Sequence, residues 1–100
     1  MDWQTGKVVS IIDETHNTRR FFIETPAKEP FVFKPGQFVT LDLPIHEKKN
    51  KRLRSYSIAS APDTTNLFEL DIGLVEDGLG ANHLLREEKV GDELIFRGPA

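Results

Sequence analysis

The chain contains no cysteine, so neither a disulfide framework nor a thiolate-held zinc or iron-sulfur centre is open to it. That absence fits a reducing, cytoplasmic compartment. Nothing approaches the roughly 18 apolar residues of a membrane span, and the leading MDWQTGKVV lacks the apolar centre of a signal peptide, so no membrane insertion is expected. Excess positive charge is missing too. A formal net charge of -3 gives the molecule no overall field toward nucleic acid, so any basic site must be local. His16, His46 and His83 are too far apart in the chain to predict a metal site, and read as surface residues. What remains, 38% hydrophobic and 29% charged residues over 100 positions, excludes disorder and suits one globular domain spanning residues 1–100.

Turn residues punctuate the chain at short intervals: Pro35-Gly36, Pro62-Asp63, Asp77-Gly78, Gly91-Asp92 and Gly98-Pro99. Short strands between such signals predict an all-β barrel or sandwich. The clearest strand is Leu67 to Val75, where Phe68, Leu70, Ile72 and Leu74 alternate with Glu69, Asp71 and Gly73 and define one apolar face. Gly6 to Asp13, Arg19 to Glu24, Gln37 to Leu43, Arg54 to Ala59 and Glu93 to Arg97 bring the total to about six strands. Ala81 to Glu88 favours helix, with Leu84 and Leu85 as its buried contacts, and covers an open end of the barrel. His46 to Arg54 reads as a long basic loop.

That loop delivers the chain into RLRSYSIAS, Arg52 to Ser60. On a strand, Arg54, Tyr56 and Ile58 share one face and Ser55, Ser57 and Ala59 the other, which sets a guanidinium beside a phenol about 7 Å away. Arginine donates two parallel, charge-assisted hydrogen bonds to phosphate, and tyrosine offers a flat face to a planar heterocycle. Together they suit a nucleotide. The plainer reading pairs Arg54 with a surface carboxylate and leaves Tyr56 a half-buried strand residue. Downstream, EDGLGANHLL sets Gly78 and Gly80 before a short helix, an arrangement that admits a phosphate to free backbone N–H groups or simply turns the chain. It lacks the Gly-Lys-Ser/Thr of a P-loop and the surrounding βαβ unit of a dinucleotide fingerprint.

These blocks in order, KPGQF at 34–38, Arg54-Ser55-Tyr56-Ser57, DGLGANHL at 77–84 and VGDELIFRGP at 90–99, resemble the flavin-binding domain of the ferredoxin-NADP reductase superfamily over almost the whole chain. The resemblance implies a six-stranded antiparallel Greek-key barrel capped by one helix, holding FAD, with FMN as the lesser alternative. It implies that Arg54 holds a flavin phosphate, with Ser55 beside it, and that Tyr56 packs on the isoalloxazine ring. Ser57 takes the place of the family's serine near flavin N5, the catalytic position. Ile72, Gly73 and Leu74 line the cofactor with backbone, while Gly78, Leu79, Gly80, Ala81 and Asn82 embrace the pyrophosphate. Gly36-Gln37-Phe38 is a turn feeding a strand. Ala81 departs from the family's serine or threonine, which removes a hydroxyl donor worth about 1 kcal/mol unless Asn82 substitutes.

Family members continue past the Gly-Pro segment into a nicotinamide-dinucleotide domain. The expectation is therefore an oxidoreductase domain that receives hydride from NAD(P)H bound by a domain or partner chain outside residues 1–100, turns over little alone, and passes electrons to a carrier such as ferredoxin or flavodoxin. A noncatalytic flavin-binding or interaction module is the alternative. Lys48, Lys49, Lys51, Arg52 and Arg54 raise a nucleic-acid reading that their lack of interleaved aromatics and the opposing Glu69, Asp71, Glu76 and Asp77 disfavour. Trp3 packs either on the barrel wall or against the cofactor edge.

Overall fold

The computed structural model describes residues 3–15, 17–26, 31–60, 65–73 and 79–100, without the side chains of residues 49, 79, 81, 82 and 85. Six antiparallel strands form one sheet: β1 (Gln4–Thr15), β2 (Thr18–Glu24), β3 (Phe38–Asp42), β4 (Leu53–Ser57), β5 (Leu67–Gly73) and β6 (Glu93–Arg97). Among the described residues one helix, α1 (Leu79–Arg86), lies between β5 and β6, and a 3-10 turn occupies Lys49–Lys51 ahead of β4. The spatial order β4-β3-β6-β1-β2-β5 interleaves strands distant in sequence, which agrees with the expected Greek-key all-β class.

Period-two alternation builds the core. Phe21 and Ile23 of β2, Val39 and Leu41 of β3, Phe68, Leu70 and Ile72 of β5, and Leu94 and Phe96 of β6 all turn inward and are buried. Phe68 stacks on Phe31 at 4.8 Å between centroids and meets Phe96 edge-on at 5.3 Å, so aromatic rings fill the middle of the sheet's concave side. Leu84 joins them from α1, as expected. The KPGQF block is a turn: Gly36 has φ of +88°, a conformation costly for any residue with a Cβ, and Gln37 N–H donates to Lys34 C=O at 3.1 Å. Its neighbour Phe38 then opens β3.

Three expectations need correction. The barrel is not closed by a strand ladder, since β4 and β5 are the sheet's edges. After β4 the chain crosses toward β5, where Ala59 N–H donates to Glu69 C=O at 2.8 Å and Glu69 N–H donates to Ser60 Oγ at 3.1 Å, so a short contact does what a ladder was expected to do. The helix begins at Leu79 and ends at Arg86, two residues upstream of its expected span; Glu87 and Glu88 follow it with their amides on His83 C=O. Glu69, placed by alternation on the solvent side, is nearly buried, because Arg20 grips both its oxygens at 3.0 and 3.1 Å. That guanidinium holds Glu69 below the usual carboxylate range, while burial and the neighbouring Glu69 push Asp71 up to about 6.

Candidate functional site

β4 lies at the sheet edge, and its alternation decides what it offers. In the ladder with β3, Arg54 stands opposite Leu41 and Tyr56 opposite Val39, so both share the face that those two residues bury. Being on an edge strand, Arg54 and Tyr56 stay half-buried where Leu41 and Val39 are sealed. Ser55 stands opposite Thr40 on the outer face, with their hydroxyls 3.0 Å apart, and Ser57 stands opposite Phe38 there, exposed.

The first turn of α1 reaches this pair. A Cβ added at Gly80 would stand 2.8 Å from Arg54 Cγ and 3.0 Å from Tyr56 Oη, so only a glycine lets the helix start lie so close. Tyr56 and Gly80 stand 24 positions apart in sequence, yet the fold sets them in contact. Burial pushes the Tyr56 phenol above its ordinary value, partly offset by the positive charge of Arg54. Raised from an already high value, the hydroxyl is protonated near neutral pH.

Arg54 differs from the arginines around it. Arg19 pairs with Asp13 at 2.6 Å, Arg20 with Glu69 at 3.0 Å and Arg52 with Asp42 at 2.8 Å. Among the described residues no carboxylate pairs with Arg54; its Nη1 instead donates to Lys51 C=O at 3.1 Å and Leu53 C=O at 2.8 Å. A guanidinium held only by neutral carbonyls keeps its charge for an incoming anion. The plainer reading of Arg54, a surface carboxylate partner, is absent among those residues.

The remaining predicted positions fall into three groups. Ile72 buries its side chain in the core opposite Arg19, so any part it takes at a ligand is through backbone, and Gly73 ends β5 with open space where a Cβ would be. Leu79, Ala81 and Asn82 lie in the first turn of α1 with Gly80, their side chains undescribed. Leu74 and Gly78 lie outside the described residues. Trp3 meets β6, where the Arg97 guanidinium lies 4.7 Å over its ring. His83, read as a surface residue, is instead half-buried, with Nε2 at 3.1 Å from Glu88 Oε2. His46 is exposed, its Nδ1 accepting the Lys48 N–H.

A separate cleft of about 940 Å³ opens beside the C-terminal half of α1. Its lining includes Asp42, Glu47, Glu87, Glu88, Asp92 and Glu93 against a single Arg52, and neither Arg54, Tyr56 nor Gly80. Such a surplus of carboxylates disfavours a diphosphate in this cleft. Sequence reasoning missed the burial of Glu88 and the attachment of Arg19 to α1, described below; both depend on partners far away in the chain and leave no local pattern. Among the described residues no group of three or more His, Asp or Glu is placed to hold a metal ion, and no helix is long and apolar enough to cross a membrane.

Comparison with known proteins identifies the family of the chain. The profile of the oxidoreductase FAD-binding domain family matches residues 5–100. The reductase subunit of glycine betaine monooxygenase from Chromohalobacter salexigens is 37% identical over 97% of this chain and 27% of its own length. Ferredoxin–NADP reductase B of Sorangium cellulosum is 41% identical over 94% of this chain and 37% of its own. Among solved structures, the ferredoxin reductase of carbazole 1,9a-dioxygenase superposes with a TM-score of 0.83 at 26% identity, covering 98% of this chain and 29% of that one. The chain thus spans between a quarter and two fifths of the length of these relatives.

Proposed function

We propose that this chain, which belongs to the oxidoreductase FAD-binding domain family, grips FAD at the β4–α1 edge as the flavin domain of an NAD(P)H-dependent electron-transfer reductase. The observation that carries the reading is the meeting of Gly80 with Arg54 and Tyr56, around a guanidinium that no described carboxylate neutralises. These residues fit the group: a cation, a phenol ring and a helix start opened by glycine match a diphosphate joined to a flat heterocycle.

Each residue has a definite task. Arg54 turns its fork from Lys51 C=O and Leu53 C=O to the phosphates, exchanging neutral acceptors for charged ones. The first-turn amides of α1 would turn toward the same oxygens, and the absent hydroxyl at Ala81 leaves that work to backbone and Asn82. Tyr56 supplies the packing surface and excludes water from one side of the ring. Ser57, on the other face of β4 from Tyr56, would reach the reacting edge of the ring only around the open side of this edge strand, and the backbone of Ile72 and Gly73, with Leu74 beyond the described residues, would complete the lining. Bound flavin supplies the hydride and single-electron chemistry that no side chain here provides.

NAD(P)H is delivered by a domain or partner outside residues 1–100, and electrons leave to an iron-sulfur or flavin carrier such as ferredoxin or flavodoxin; the names of the relatives, reductase components of oxygenases among them, support this. Residues 1–100 alone then turn over little NAD(P)H. The decisive experiment is a fluorescence titration with FAD and FMN, followed by addition of NADH and NADPH to a chain joined to its nucleotide-binding domain. Binding with reduction supports the reductase reading. Binding without reduction by either nucleotide leaves the noncatalytic module, and no binding removes the flavin assignment altogether.

A further inference from the structure

The helix that carries Gly80 to Arg54 and Tyr56 is anchored at its far end by a residue of another strand. Arg19, on β2 opposite Ile72 of β5, extends its guanidinium to α1. Nη1 donates to Leu84 C=O at 3.4 Å and Glu88 C=O at 3.2 Å, while Nε donates to Asp13 Oδ1 at 2.6 Å. Leu84 C=O is among the last carbonyls of α1, which lack intrahelical donors and concentrate partial negative charge, and Glu88 C=O lies just beyond the helix end, so one guanidinium holds both the end of the helix and the chain leaving it. Its side chain is 22% exposed and lies 5.9 Å over the Phe21 ring, so the fork is held against the sheet before it meets the helix. One side chain thereby ties together β1, β2 and α1.

The helix needs such a tie. Eight residues are too few to persist as an isolated helix, so packing and end contacts must fix where its first turn lies. Leu84 is the described α1 side chain sealed in the core, and its own carbonyl is one of the two that Arg19 holds. Because a helix is stiff along its axis, a shift at Leu84 moves Gly80, one turn away, by a similar distance. A shift of a few tenths of an ångström matters there, given how closely Gly80 approaches Arg54 Cγ and Tyr56 Oη.

We propose that Arg19 is a positioning residue for the flavin site: it fixes the placement of α1 so that the helix start meets the phosphates that Arg54 binds. This rests on the flavin reading of that site. In the full chain, Arg19→Met is expected to raise the FAD dissociation constant about tenfold, Arg19→Lys to restore it to within about threefold of the parent, and Asp13→Asn to leave it within about twofold, by fluorescence titration. The Asp13 variant breaks the strand ion pair while leaving the helix carbonyls engaged, so it separates helix placement from general strand stability. Hydrogen exchange at the amides of residues 80–84 is expected to accelerate in Arg19→Met and not in Asp13→Asn.

Equal FAD affinity in Arg19→Met and the parent overturns the positioning role, and so does an equal loss in Asp13→Asn and Arg19→Met. A parent chain that binds no flavin overturns the flavin reading instead, so the two failures are distinguishable. Should Arg19→Met fail to fold, Arg19→Lys against Asp13→Asn still decides: affinity lowered more by the lysine variant supports the role, and the reverse order defeats it.

Discussion

The wall formed by β1, β2, β5 and β6 and the edge formed by β4 with α1 obey the same alternation and end with opposite properties. On the wall, inward positions carry Phe21, Ile23 and Phe96 on strands with neighbours on both sides, and Phe68 on the edge strand β5 against the rings of Phe31 and Phe96, and all four are sealed from water. On β4, inward positions carry Arg54 and Tyr56, and with a strand neighbour on one side only they stay half-open. An inward-facing position is thus a core position only where other side chains close over it, as Phe31 and Phe96 close over Phe68 on the other edge strand. Left half-open, as on β4, it becomes a place to hold something else.

The comparison breaks most visibly under truncation. Phe68→Ala is expected to cost about 3 to 5 kcal/mol in urea unfolding and to leave little folded protein, because the cavity lies among Phe31 and Phe96. A loss below 1 kcal/mol would deny Phe68 its place in the core.

Glu88 is next in size. It is buried with Oε1 lacking a hydrogen-bond partner, and burial followed by the nearby Asp92 raises it from 4.5 to about 7. A carboxyl raised in the folded state stabilises the protein while protonated, so the contribution of Glu88 is present at low pH and is lost as pH rises through about 7. That decline is on the order of 2 to 3 kcal/mol, and Glu88→Gln should flatten it when melting is followed from pH 5 to pH 8. A slope unchanged by the substitution would place the titration elsewhere.

At the edge, Arg54→Ala and Tyr56→Ala should each weaken FAD binding by about 1 to 3 kcal/mol with melting temperature held, the reverse of Phe68→Ala. If either variant unfolds while keeping affinity, the distinction between wall and edge fails. The smallest effect belongs to Gly80→Ala, which gains helix propensity but drives a Cβ into Arg54 Cγ. FAD affinity should fall by about 1 kcal/mol without loss of stability, and Arg54 should shift in a crystal structure of the variant.

Much of the fold was legible because strand formation is local. Phe68, Leu70 and Ile72 announce their shared face by spacing alone, and Gly36 announces its turn. Glu69 was misplaced for the same reason: its position in β5 says solvent, and only Arg20 from β2, with Ser60 from the β4–β5 crossing, explains its burial. Within the site, Arg54 and Tyr56 were legible as a pair on one face. That Arg54 lacks a described carboxylate partner, while Arg19, Arg20 and Arg52 each have one, was not, since all four sit in similarly charged stretches.

By itself the sequence determined the strands, the one helix and the residues able to meet a phosphate and a flat ring, because hydrophobic period, turn chemistry and side-chain type act over a few neighbouring positions. The tertiary structure alone decided that β4 is an edge, that Gly80 arrives beside Arg54 and Tyr56, and that Arg19 reaches the far end of α1. Those outcomes depend on which distant segments share space, and that is settled by packing the whole sheet at once.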